Sequence, residues 1–196
     1  LTMGMLAAKL FGPPVGALMS GLGNIVMTAT DMQPLIMGIV VSVIVGLALT
    51  APISSAALCI MLDLSGIAAG AATVGCCAQM IGFAVISFRE NGIGGLIAQG
   101  IGTSMLQVSN IIKNPWIIVP PTLAAAVLGP IATCVFKMTN LPAGAGMGTS
   151  GFVGQIGTFT AMGFSLRVLL LVIMLHIVLP AVLSLIFDFM LKKAGK

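Results

Sequence analysis

The sequence predicts an all-α integral membrane protein, with about six transmembrane helices and one Gly-rich re-entrant or broken-helix segment. Three observations lead there. Only eight Lys or Arg and four Asp or Glu occur in 196 residues, 6% of the chain, against about 25% in a soluble domain. Hydrophobic types make up 59%, and the mean hydropathy is +1.21. The few charges also fall between apolar runs near the roughly 20 residues that one span needs. So few charges cannot hydrate a soluble surface, which excludes soluble enzymes, nucleic-acid binders and disordered tails.

The charges punctuate the chain. Lys9 precedes an apolar run over residues 10–30, which contains Pro13-Pro14 and stops at Asp31 and Pro34. Residues 35–62 follow, with Pro52 inside, and fit either one kinked helix or a full span plus a half-helix. Asp63 separates this run from residues 64–88, long enough to span with tilt. Arg89-Glu90-Asn91-Gly92 is the most polar turn in the chain. Helices are predicted over residues 93–112 and 116–136, divided by Lys113-Asn114-Pro115, and Trp116 suits an interfacial anchor. The last span, residues 168–190, holds the only His and carries Pro180. Lys192, Lys193 and Lys196 follow it, so the C-terminus is expected in the cytoplasm.

Residues 137–167 differ from the rest. The stretch AGAGMGTSGFVGQIG, residues 143–157, has six Gly in fifteen positions. Each Gly costs about 1 kcal/mol against Ala in a helix, yet the stretch is too apolar for a solvated loop. Irregular backbone at membrane depth survives only when buried in protein or lining a wet cavity, hence the broken-helix reading. Small residues recur at four-residue spacing in Gly12/Gly16/Ser20, Gly38/Ser42/Gly46 and Gly66/Gly70, a pattern that lets helices approach closely. Cys59, Cys76, Cys77 and Cys134 lie inside apolar stretches with neither metal nor disulfide spacing.

The candidate site residues are neutral for the most part. Over residues 93–112, Gln99, Thr103, Gln107 and Asn110 fall within an arc of about 80° on one helix. Such a stripe turns away from lipid, toward either neighbouring helices or a wet path for a polyhydroxylated solute. Gly146 to Gly151 matches G-x-G-x-x-G, but the flanking strand and the following acid of a dinucleotide site are missing. What survives is backbone that a ligand approaches closely at Gly146 and Gly148, with Thr149, Ser150 and Gln155 beside it, unless these glycines serve helix packing alone. Glu90 is either a membrane-depth acid or an interfacial loop residue. His176 sits four residues before Pro180 and serves either as a proton or substrate contact or as a partner for another helix. No nucleophile–base pair and no metal cluster assembles, so no catalytic residue, metal or cofactor is expected.

Three blocks carry a family likeness: SFRENGIGGLIAQGIGTSMLQ (residues 87–107), NPWIIVPPTLAAAVLGPIAT (114–133) and FKMTNLPAGAGMGTSGFVGQIGT (136–158). Through them the chain resembles the membrane IIC component of bacterial sugar phosphotransferase systems, and within it the branch that includes perfringolysin-regulator-like membrane proteins. The resemblance implies a multi-pass plasma-membrane permease, usually dimeric, that binds a sugar and moves it inward. Cytoplasmic IIB and IIA phosphocarriers would phosphorylate the sugar. Better-studied branches place a Glu and a His near the sugar. Glu90 and His176 are candidates by chemistry alone, because neither is matched to such a motif.

The expectation is therefore a single permease-like domain over residues 1–196, shorter than usual and lacking N-terminal helices of the full protein. It would bind sugar through Glu90, Gln99, Thr103, Gln107, Asn110, Gly146, Gly148, Thr149, Ser150, Gln155 and His176, within the lipid bilayer, as a homodimer with no nucleic-acid partner. A membrane sensor or regulator on the same scaffold, and an ion-coupled secondary transporter, are the alternatives.

Overall fold

A chain this rich in Gly and Pro forms helices that are repeatedly interrupted, and the computed structural model shows where. It describes residues 2–30 and 33–195, with the backbone alone for residues 2–11, 15, 18, 19 and 27. The helix stop read at Asp31 and the basic residue Lys196 lie outside the described residues. Among those described, no strand forms beyond one isolated bridge between Gly66 and Asn140.

The elements are α1 (Thr2–Thr30), α2 (Pro34–Thr50), α3 (Ser55–Met61), α4 (Gly66–Ile86) and α5 (Phe88–Ile97). After two irregular turns come α6 (Val108–Lys113), α7 (Pro115–Val135), α8 (Pro142–Ala145), α9 (Val153–Met162) and α10 (Leu166–Lys193). Three of them, α4, α7 and α10, are each long and apolar enough to cross a membrane, and α2 is a shorter apolar helix of 17 residues. The expectation of about six spans thus meets three long ones among the described residues.

The helix α4 is the axis of the bundle. Of its most apolar stretch 83% is buried, against 44% for α7 and 33% for α10. Its Gly, Ala and Cys side chains leave room for neighbours to come close. A Cβ on Gly75 would fall on the Ser42 carbonyl of α2, and one on Gly70 on the carbonyl of Met138. Gly38 packs on Gly129 of α7 and Gly46 on Gly75 of α4, so that spacing serves helix packing, whereas Gly70 admits the irregular segment at Met138 and Gly12, Gly16 and Gly66 face open space.

Side-chain bonds fix the helix directions. The Ser42 hydroxyl donates to the Ala125 carbonyl at 2.9 Å, and Thr133 donates to the Pro34 carbonyl at 2.8 Å, so α7 runs antiparallel to α2. On α10, Val168 and Val172 pack with Val74, and Ser184 lies beside Gly82, so α10 runs parallel to α4.

The run over residues 35–62 resolves into two separate helices, not one kinked helix. Here α2 stops at Thr50, two residues before Pro52, and α3 is capped by Ser54, whose hydroxyl accepts from the Ala57 N–H at 3.3 Å. Its seven residues rise about 10 Å, a third of the hydrocarbon core.

Residues 93–112 depart from expectation, because they do not form one straight helix. Gly92 breaks α5 with φ 60°. A π-helical turn at Ala98–Gly102 and a 3-10 turn at Ser104–Gln107 follow, joined by an extended Thr103 (φ −158°, ψ 144°). Gly92, Gly94, Gly95, Gly100 and Gly102 weaken the helix within eleven positions. The result is a hairpin based at the C-terminal end of α4, with its tip at residues 102–104.

The Gly-rich stretch forms a second hairpin, based at the opposite end of α4. It climbs from Met138, stacked on Gly70, through α8 to Gly148, stacked on Cys76 and Cys77. It turns at Gly151 and Phe152, both with positive φ, and descends as α9. At about 15 Å, α9 reaches only half the hydrocarbon thickness. The broken-helix expectation is met.

Candidate functional site

The site begins with a chain of amides. In the hairpin at residues 88–113, Gln99 Nε2 donates to the Ser87 hydroxyl at 3.1 Å, Gln107 Nε2 donates to Gln99 Oε1 at 2.9 Å, and Asn110 Nδ2 donates to Gln107 Oε1 at 2.9 Å. The bend at residues 98–107 folds the chain so that Gln99 and Gln107 meet, although they are no longer on one helix. Thr103 leaves the stripe: its hydroxyl caps the 3-10 turn by accepting from the Met105 N–H at 3.2 Å.

Gln107 and Asn110 face a cleft of about 360 Å³ at the C-terminal end of α4, within the size range of small-molecule sites. Ser87, Glu90 and Asn114 share its wall, and Phe83 and Ile117 supply apolar floor. Lys113, Asp188 and Lys192 add charge to the lining, with the Lys192 ammonium 2.7 Å from the Asp188 carboxylate. Neutral donors and acceptors beside an apolar wall match a sugar, which presents hydroxyls on its rim and C–H groups on its faces.

The remaining expected residues sit elsewhere. Thr149 Oγ1 donates to the Met80 sulfur at 3.5 Å, and the Ser150 hydroxyl donates to the Gly102 carbonyl at 2.9 Å, joining the tips of the two hairpins. Gly146 packs on the Ser55 carbonyl, and a Cβ on Gly148 would lie 2.7 Å from that of Cys76. Both glycines thus bring the hairpin against the protein and leave no open cradle for a ligand. Gln155 and His176 meet in the core, with Gln155 Nε2 at 3.3 Å from His176 Nδ1, while Gln155 Oε1 and His176 Nε2 have no partner. The candidates therefore form three groups: cleft, hairpin tips and buried pair.

Sequence reading missed two polar clusters. Gln79, in the middle of α4, donates to the Thr122 hydroxyl at 2.9 Å and accepts from Thr50 at 3.4 Å, and Thr50 in turn shares a 3.1 Å hydrogen bond with Ser104. Gln79 is the only amide residue of the apolar run at residues 64–88, and that isolation was its signal. Asn140 donates to Thr73 Oγ1 at 2.6 Å and to the Gly154 carbonyl at 3.0 Å, and its Oδ1 accepts from the Leu141 N–H at 2.7 Å. It fastens the Gly-rich hairpin to α4, and nothing in the local sequence marks it.

Apolar helices around a buried polar core, two broken hairpins meeting tip to tip, and a polar cleft at one end define a membrane transport protein. The chain belongs to the family described as Phosphotransferase system, EIIC, whose model matches residues 1–196. It is a multi-pass plasma-membrane subunit that translocates a sugar, with cytoplasmic IIB and IIA phosphocarriers as its partners. No curated protein and no solved structure matches it.

Proposed function

We propose that the sugar is bound in the cleft at the C-terminal end of α4, with its hydroxyls matched by Gln107, Asn110 and Glu90 and with Gln99 bracing Gln107 from behind. The observation that carries this is the amide chain Gln99–Gln107–Asn110 opening into a cavity of about 360 Å³. Desolvating a sugar is unfavourable unless each hydroxyl meets a replacement partner, and this wall offers both donors and acceptors. Thr149 and Ser150 act at the hairpin tips on the route beyond, held by Gly146 and Gly148, while Gln155 and His176 line its deepest part. Thr103 acts through backbone geometry by setting the bend.

The cleft end is the cytoplasmic end, and the C-terminus lies there. Arg89, Lys113, Lys192 and Lys193 gather at that end against Lys137 and Arg167 at the other, a distribution that supports the orientation. The chain acts as one transmembrane unit. Its count of about six spans is supported by α1 and α2 beside the three long helices, with the two hairpins supplying further chain at membrane depth. The homodimer is carried by the resemblance to IIC permeases, and cross-linking in native membranes tests it. Uptake of labelled sugars by cells with intact IIA and IIB components tests the function: Gln107→Leu is expected to abolish uptake while the protein still inserts.

A further inference from the structure

Four charged side chains line the cytoplasmic cleft: Glu90 from α5, Lys113 from α6, and Asp188 and Lys192 from α10. We propose that Lys113 and Lys192 form a subsite for the phosphate of the sugar phosphate product, with Asp188 as the counter-ion that yields Lys192 to it; this rests on the sugar-site reading above.

Phosphorylation turns a neutral sugar into a ligand with a charge of about −1.5 to −2 at neutral pH. The amides that suit hydroxyls offer no cation to this new group. Lys113 and Lys192 do, and they reach the cleft from two different helices. Among the described residues the only ion pair is Asp188–Lys192, at 2.7 Å, with the lysine side chain 65% exposed and the aspartate 20%. A pair this open to solvent is held weakly, so Lys192 exchanges Asp188 for a stronger anion at little cost. Lys113 has no ion-pair partner among the described residues.

The carboxylates matter as much as the lysines. Glu90 and Asp188 oppose a bound anion and keep it from staying, as a transport route needs sites favourable enough to enter and weak enough to leave. The product is drawn off the sugar contacts and then released.

The test is calorimetric titration of inorganic phosphate into the full-length protein in detergent, without sugar. Saturable binding is expected for the unmodified protein. Joint Lys113→Gln and Lys192→Gln changes are expected to weaken it roughly tenfold or more, the scale of losing charge-assisted contacts. Asp188→Asn frees Lys192 and is expected to tighten binding roughly fivefold. The opposite signs separate the proposal from general damage to the fold. No binding by the unmodified protein, binding indifferent to the lysine changes, or weakening by Asp188→Asn overturns it. Sugar affinity measured on Gln107→Leu stands apart: its failure to fall overturns the sugar-site reading and leaves the phosphate result intact.

Discussion

The Ser150 hydroxyl donates to the Gly102 carbonyl at 2.9 Å, joining the tips of two hairpins that enter the bundle from opposite ends of α4. Each hairpin turns back beside Gln79 and Met80 of α4, where the other meets it. Thr50 and Ser104 make a second contact at the same level, 3.1 Å apart. On the proposed route the sugar passes between the hairpin tips, and its hydroxyls are chemically able to replace both contacts.

A cross-link between the tips should therefore stop transport. With Cys134, the one exposed native thiol among the described residues, replaced by Ser, the pair Ser150→Cys and Gly102→Cys is expected to lose uptake on oxidation and regain it on reduction. The side chain added at Gly102 meets nothing within 4 Å, so the substitution itself is tolerated. Full uptake by protein shown to be cross-linked would contradict the tip contact as a gate.

Asn140 is expected to set the stability of the Gly-rich hairpin. Asn140→Ala strands the Leu141 N–H and removes one bond each from the Thr73 hydroxyl, which still donates to the Ala69 carbonyl, and from the Gly154 carbonyl, which still accepts from the Thr158 hydroxyl. Unmaking buried hydrogen bonds costs about 1–3 kcal/mol per stranded group. The thermal unfolding midpoint in detergent should fall clearly for Ala, and less for Asp, which keeps the acceptor for Leu141.

Gly148 has φ +54°, and a Cβ there would stand 2.7 Å from the Cys76 Cβ and 2.9 Å from the Cys77 nitrogen. A β-branched side chain in this conformation costs roughly 1–2 kcal/mol before the clash, and overpacking adds about 1–3 kcal/mol. Gly148→Val is expected to abolish uptake through a displaced hairpin, seen as a lowered midpoint. An unchanged midpoint with lost uptake would instead indicate direct contact with the sugar.

The Gln155–His176 pair separates packing from binding. Gln155→Leu strands His176 Nδ1 beside an already unpartnered Nε2, so the midpoint should fall by the equivalent of about 1–3 kcal/mol. Removing both polar groups, as Gln155→Leu with His176→Phe, is expected to recover most of that loss in a double-mutant cycle. Sugar affinity measured on the joint variant then decides whether the unpartnered atoms serve the sugar.

The membrane class, the ends of α7 and α10 and the break in the Gly-rich stretch were all legible in the sequence, because each rests on composition within one window. So was the polar face shared by Gln99, Gln107 and Asn110, although the helix assumed to carry it is bent. Five glycines and an extended Thr103 bring Gln107 back onto Gln99 across a turn, and helical periodicity applied to a straight rod does not capture that. The contacts of Gln79, Thr50 and Asn140 were illegible for another reason. The isolation of Gln79 marked the residue but not its partners, and the side chains that these residues bond lie 29 to 67 positions away along the chain. The charged half of the cleft was split in the same way, since Lys113, Asp188 and Lys192 meet only when α6 and α10 converge.

Binding of labelled sugars to the purified full-length protein and to Gln107→Leu is the most direct measurement. Loss of the side chain that both accepts from Asn110 and donates to Gln99 is expected to lower affinity for the transported sugar at least roughly tenfold, with about 1.4 kcal/mol of binding lost, and to leave the thermal midpoint near its original value. Unchanged affinity in Gln107→Leu would contradict the placement of the sugar in this cleft.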